Sequence, residues 1–307
     1  MRRNLLIVIA FILVALAGLS LHVWTSITGR GGRPAEGTRH IVSSDGAVPE
    51  VVYLERLPER PRPNAAPVVL LASFARSIAD FNELTADLTS EGYRTLAVES
   101  RGIGGSGGGG PGQDLTLHDL ASDVHRVLEE AGVIGRVHLV GHAYGNRVVR
   151  TFAADHPARV ASVSLIAAGG LLPIRTKETR RALEESVAAY YPLARREPAL
   201  RHAFFSEKSK IPAHWVGGWW AWGGFAQYAA TAATSSDDFW GAGGADLLVI
   251  QGDDDTLAPP EDAGLRLLAD FPSRVELVRL PDAGHAMLPE KPVQIRDALL
   301  GFLARHP

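Results

Sequence analysis

The 307-residue sequence contains no cysteine. Disulfides, thiolate nucleophiles and thiolate metal sites are therefore excluded, and nothing can misoxidise outside the cytosol. Strong charge is missing too. Lys and Arg number 31 against 34 Asp and Glu, a net charge of -3 with the basic residues scattered. Nucleic acid is not an expected partner on that balance. No pair of histidines at helical spacing faces a third ligand, so no metal is expected. The glycine-rich run Gly104 to Gly112 has no following Lys-Ser/Thr and opens no helix. It is a loop and not a phosphate cradle, and no cofactor is expected. There are no internal repeats, and 46% hydrophobic residues suffice for one large core, or one core with an inserted subdomain.

What is present begins with an apolar leader. Arg2 and Arg3 precede a run from Leu5 that continues to Trp24 with few polar breaks. Residues 1–24 are expected to be a signal peptide or a signal anchor, with the body exported to the periplasm or the extracellular side. Ala15-Leu16-Ala17 resembles a cleavage site and favours removal. The length favours retention, because a spanning helix needs about 20 residues. Membrane contact is expected only through this segment. Residues 25–37, with Gly29-Arg30-Gly31-Gly32-Arg33-Pro34, are predicted to be a linker.

From about Thr38, strands alternate with amphipathic helices, which predicts an α/β class with a mostly parallel central sheet and helices on both faces. Predicted strands are His40–Val42, Val51–Leu54, Val68–Leu71, Arg94–Val98, Val137–Val140, Val160–Ala168, Leu247–Ile250 and Val275–Val278. Helices are predicted over Ile78–Gly92, Leu117–Ala131, from Asn146 onward and Pro292–Leu303. The alternation breaks between residues 169 and 244, where five of the six tryptophans lie. This stretch is predicted to be an inserted helical lid on a core of residues 38–168 and 245–307. Trp219, Trp220 and Trp222 are its candidate pocket residues, with packing of the lid's own core as the alternative.

Four short motifs carry the chemistry. Gly141-His142-Ala143-Tyr144-Gly145 lies between a predicted strand and a predicted helix. Strand, G-x-S-x-G, helix is a nucleophile elbow, in which small residues let the chain turn sharply and push one side chain out. Arg101-Gly102-Ile103-Gly104-Gly105-Ser106, Gly252-Asp253-Asp254-Asp255 with Pro259, and Ala283-Gly284-His285 follow further predicted strand ends. In this order the four resemble the α/β-hydrolase superfamily from about Val68 to the end of the chain. Ligands of open α/β sheets bind at those strand ends.

The resemblance implies a nucleophile–acid–base set at Ala143, Asp255 and His285, with Asp253 and Asp254 the alternatives for the acid and better suited to the turn. It implies an oxyanion hole from the backbone N–H of Tyr144 and one from the loop after Leu71. There the family has H-G and this chain has Ala72-Ser73-Phe74, making Ser73 and Phe74 the candidates. Ser73 is expected to bond its own backbone. Ser106 is expected to be structural, His142 to pack inward, and Glu99 to brace a loop. At the elbow a methyl group stands where a hydroxyl would attack. Three readings of Ala143 follow: an engineered Ser→Ala change, an enzyme working through His285 and Asp255 without a serine, or a binding protein built on a retired hydrolase. The serine-free enzyme is expected to hydrolyse a small apolar ester- or lactone-like substrate, with a cofactor-free lyase or oxygenase as its variant.

Overall fold

The computed structural model describes residues 2–43, 46 and 48–306, with side chains in the first helix described from Leu13 onward. Eight strands form one sheet: β1 (Thr38–Val42), β2 (Val51–Arg56), β3 (Val68–Leu71), β4 (Thr95–Val98), β5 (Val137–His142), β6 (Val160–Ile166), β7 (Leu247–Gly252) and β8 (Val275–Leu280). Their spatial order is β1-β2-β4-β3-β5-β6-β7-β8. β1 pairs antiparallel with β2, and β2 with β4, while every later pairing is parallel. The expected α/β architecture is therefore the observed one. The central strands β3, β4, β5 and β7 are buried at every residue. A parallel sheet covered on both faces demands that, and it is why these segments are mostly apolar.

The helices are α1 (Arg2–Ile27), α2 (Asn82–Ser90), α3 (Leu117–Glu130), α4 (Gly145–Asp155), α5 (Lys177–Val187), α6 (Leu193–Phe204), α7 (Ala213–Val216), α8 (Ala221–Ala232), α9 (Gly264–Asp270), α10 (Met287–Glu290) and α11 (Pro292–Leu303). α3 shows the local logic. Thr116 caps it by accepting from Asp119 N (3.2 Å), and the Asp119 carboxylate accepts from Thr116 N (2.8 Å). Leu117, Leu120, Val124, Val127 and Leu128 then line the face turned to the sheet. The predicted helix over Ile78–Gly92 starts with a 3₁₀ turn, Ile78–Phe81, before α2. α5 to α8, inserted between β6 and β7, form the lid; α5, α6 and α7 share an apolar cluster of their own, while Ala226 and Ala230 of α8 pack into the core against the sheet.

Between α1 and β1 the chain forms neither helix nor strand, yet it does not hang free. α1 runs on to Ile27, and the residues after it are fastened to the body. Gly29 N donates to Trp219 O (3.0 Å), Gly218 N donates to Arg30 O (2.9 Å), and Asn82 Nδ2 donates to Pro34 O (3.0 Å). Glycine here permits close backbone approach, because a Cβ on Gly32 would lie 2.8 Å from Gly218 Cα. The leader expectation falls partly outside the described residues, namely Met1 and the side chains up to Ile12. Among the described residues no helix is long and apolar enough to cross a membrane.

The lid is held down by a buried ion pair. Arg76, in the loop after β3, is 3% exposed and Asp80 is 5% exposed. Its guanidinium donates to both Asp80 oxygens (2.8 and 2.7 Å) and to the lid carbonyls of His214, Gly217 and Gly218. The same group lies 4.2 Å from the Trp215 ring centroid and 4.8 Å from that of Trp219. Every donor is satisfied, which a buried guanidinium requires.

Candidate active site

At the end of β5 the chain turns through Ala143, whose φ of 50° lies in the left-handed region. The turn leaves no room beside it. A Cβ on Gly141 would lie 2.6 Å from Asn146 N, and one on Gly145 would lie 2.1 Å from Leu71 O. Ala143 N donates to Ile166 O (2.9 Å) and Asn146 Nδ2 donates to the same carbonyl (2.8 Å), tying the turn to β6. A non-glycine residue held at positive φ costs about 1 kcal/mol, and such strain gathers at functional sites. The elbow backbone is thus complete, with a methyl group at its apex.

Asp255 and His285 come together as expected, at the ends of β7 and β8. Asp255 Oδ2 is 2.8 Å from His285 Nδ1 and accepts from Gln251 Nε2 (3.1 Å). Asp255 Oδ1 accepts from the backbone N–H groups of Leu257 (3.0 Å) and Ala258 (2.8 Å). Four donors to one buried carboxylate fix its position and orientation. The carboxylate keeps the His285 proton on Nδ1 and leaves Nε2 as the basic nitrogen. Asp253 instead pairs with Arg279 at the surface (2.8 Å), in keeping with a turn residue. Neither Tyr144 N–H nor Phe74 N–H bonds another described residue, whereas Ala75 N–H is taken by Gln227 Oε1 (2.7 Å).

Gln251 was not foreseen, and His142 packs inward as expected but with a further positioning role. Gln251 spans from Asp255 to the Ala258 carbonyl (2.9 Å) and so fixes the acid loop. His142 is fully buried, and its Nε2 donates to the His285 carbonyl (2.9 Å). That bond requires the proton on Nε2. Burial and the neighbouring His285 lower its pKa to about 4, so the ring is neutral at pH 7. Its place beside the elbow was the one available signal. The lid grips the same loop, since Ala286 N donates to Phe204 O (2.7 Å).

Three expectations need correction. Ser73 Oγ is buried and makes no hydrogen bond among the described residues, so it does not bond its own backbone. Trp219 lines no cleft. It is fully buried against Trp215 (ring centroids 5.8 Å apart) and Phe204 (5.2 Å), whose ring lies tilted 5.8 Å from that of His285. Close packing of the lid core consumed this aromatic surface. Trp222 covers Gly109 and Gly110 and meets Trp24 edge-on at 5.4 Å. Trp220 lines a cavity of about 330 Å³, together with Gly29, Arg39, Ser77 and Glu99. Ala143, Asp255 and His285 do not line it. Among the described residues no cluster of three or more His, Asp or Glu is arranged to hold a metal.

Glu99 and Ser106 brace loops. Ser106 Oγ accepts from Val52 N (2.9 Å) and donates to Glu99 O (3.2 Å). The Glu99 carboxylate accepts from Ser77 Oγ (2.5 Å) and Ile78 N (3.2 Å), holding the loop after β3. Burial pushes its pKa up to about 7, against those hydrogen bonds. A carboxyl titrating at about 7 when folded and at about 4.3 when unfolded keeps an extra proton in the folded state between those values. Stability from this group is therefore full below about pH 4.3 and falls as pH rises to 7, by on the order of 3 kcal/mol. Glu99→Gln does not titrate. Its stability relative to the parent is expected to rise across that window, as read by urea denaturation at several pH values. A difference independent of pH would contradict the assignment.

With fold and site in view, the class is plain: the chain belongs to the α/β-hydrolase family, whose alpha/beta hydrolase fold matches residues 66–219. It is 27% identical over 288 residues to a non-heme chloroperoxidase of Streptomyces lividans, covering 86% of this chain and 98% of that protein. It is 33% identical over 252 residues to the "Putative carbamate hydrolase RutD" of Variovorax paradoxus (strain S110), covering 78% and 91%. Among solved structures it is similar to a probable hydrolytic enzyme of Pseudomonas aeruginosa PAO1. The TM-score is 0.72 at 19% identity, covering 90% of this chain and 98% of that one. Likeness at that identity speaks for the fold alone.

Proposed function

We propose that this protein is a hydrolase of small apolar ester- or lactone-like substrates, working through His285 and Asp255 with alanine at the nucleophile position. The carrying observation is the His285–Asp255–Gln251 arrangement, which has no packing purpose that needs four donors on one carboxylate. In this reading His285 Nε2 takes a proton from water, and the resulting hydroxide attacks the carbonyl. Tyr144 N–H and Phe74 N–H receive the oxyanion, and the imidazolium returns the proton to the leaving oxygen. The hydrolase named among its relatives supports this class of reaction.

His285→Ala is expected to lower kcat on any ester or lactone the protein turns over by about 10²–10⁴-fold, the usual contribution of a general base. Steady-state rates on a panel of short acyl esters and lactones check it. Unchanged rates in the folded variant would place the chemistry elsewhere.

A second reading is a binding protein that has abandoned catalysis. It is favoured by the burial of Phe204, Trp215 and Trp219 beside His285 and by the position of the cavity of about 330 Å³ away from the pair. Apolar ligand binding with no turnover on the panel would select it.

The body is proposed to lie on the exported side, held by α1 as an anchor. Every described residue from Leu13 to Trp24 is exposed, and these residues are almost all apolar. Cleavage near Ala17 would leave the exposed remainder, through Trp24, in water. Retention in the membrane fraction after carbonate washing tests the anchor.

A further inference from the structure

Among the described residues of α1, Leu13 to Trp24 are exposed, and the helix is fastened to the body at its C-terminal end. Trp24 packs edge-on against Trp222 of α8, and Gly29 and Arg30 form a two-bond backbone splice with Trp219 and Gly218. Further along, Arg33 pairs bidentately with Glu83 of α2, and Glu36 N donates to Asn82 Oδ1 (3.0 Å). No slack remains between the apolar helix and the lid, so the position of one determines that of the other. α8 (Ala221–Ala232) contains no charged residue. Trp222, Phe225 and Tyr228 recur at three-residue spacing and so share one face. Phe225 is 48% and Tyr228 72% exposed. An uncharged, aromatic face continuous with an exposed apolar helix is costly in water. Aromatic rings with one polar edge suit the headgroup level of a bilayer, where such residues form belts.

We propose that the α8 face of the lid lies on the lipid bilayer, with Trp24, Trp222, Phe225 and Tyr228 at headgroup level. The proposal rests on the anchor reading of α1. Once α1 is in the bilayer, the splice at Gly29–Arg30 brings this face down onto the surface. The cavity lined by Gly29 and Trp220 then sits beside the membrane.

The absence of cysteine makes the test clean. Leu16→Cys, Tyr228→Cys and Ile134→Cys, each in the full chain, are labelled with an environment-sensitive fluorophore. They are then reconstituted into phosphatidylcholine–phosphatidylglycerol vesicles. Ile134 is 91% exposed and lies just before β5, at the sheet end opposite the lid. The expected result is quenching by headgroup-attached nitroxide several-fold stronger at position 228 than at 134, with a blue-shifted emission, and deep-chain quenching at position 16. A label at 228 that behaves like the one at 134, while position 16 is in lipid, overturns the inference and leaves the anchor intact. A label at 16 that stays aqueous overturns both. A label at 228 shielded equally in detergent, together with a dimeric mass, would assign the face to a second copy and also overturn the inference.

Discussion

Ala143→Ser is expected to raise kcat/KM for short-chain acyl esters by about 10²–10³-fold. Complete triads contribute about 10⁶ to kcat, while an oxyanion hole and binding alone retain about 10³ over water. Most of what separates those states is already built here. The backbone at position 143 holds φ at 50°, the glycines on either side leave the turn no alternative, and His285 is fixed by Asp255 through Nδ1. Serine adds one oxygen to a methyl group at a position that is buried but not sealed, so the fold should accept it. The measurement is ester hydrolysis by the parent, the variant and Ala143→Ser/His285→Ala, with the gain expected to vanish in the double variant. A folded Ala143→Ser protein with no gain would mean that the Ala72-Ser73-Phe74 loop leaves the oxyanion unsupported. A gain that survives loss of His285 would discard the proposed base.

Arg76→Ala is expected to destabilise the protein by about 3–5 kcal/mol, the usual result of removing one partner from a buried ion pair. Asp80 would remain as a charge without compensation, three lid carbonyls would lose their donor, and Trp215 and Trp219 would lose the cation between them. Denaturation midpoints at fixed slope measure the effect. Arg76→Ala/Asp80→Ala should recover part of the loss, since the orphaned carboxylate is then gone. A change below 1 kcal/mol in the single variant would show that the lid is held by apolar packing alone.

Local periodicity made the sheet legible. Val68–Leu71 and Pro292–Leu303 have the predicted bounds, and the other strands differ by a few residues at their ends. α6 was hidden because Pro198 interrupts its pattern, yet the helix accommodates it. The glycine-rich segment after α1 has the composition of a linker, but its glycines serve close approach to the lid, which composition cannot distinguish from flexibility. Asp255 was separable from Asp253 and Asp254 only through the resemblance, by its place in the family's motif. Gln251 belongs to no motif that points to it, and the role of His142 depends on a partner 143 residues away.

The sequence by itself determined the α/β class and the elbow with alanine at its apex, which depend on short-range period and local turn chemistry. The Asp255–His285 pair was legible only through the resemblance of its motifs to a known family, since its members lie 30 residues apart. Tertiary structure alone decided which tryptophans pack and which line a cavity, what Arg76 clamps, and where α1 leaves the body. Those outcomes depend on how segments distant in the chain fill a shared volume. Close packing lets only one arrangement of rings and charges occupy it.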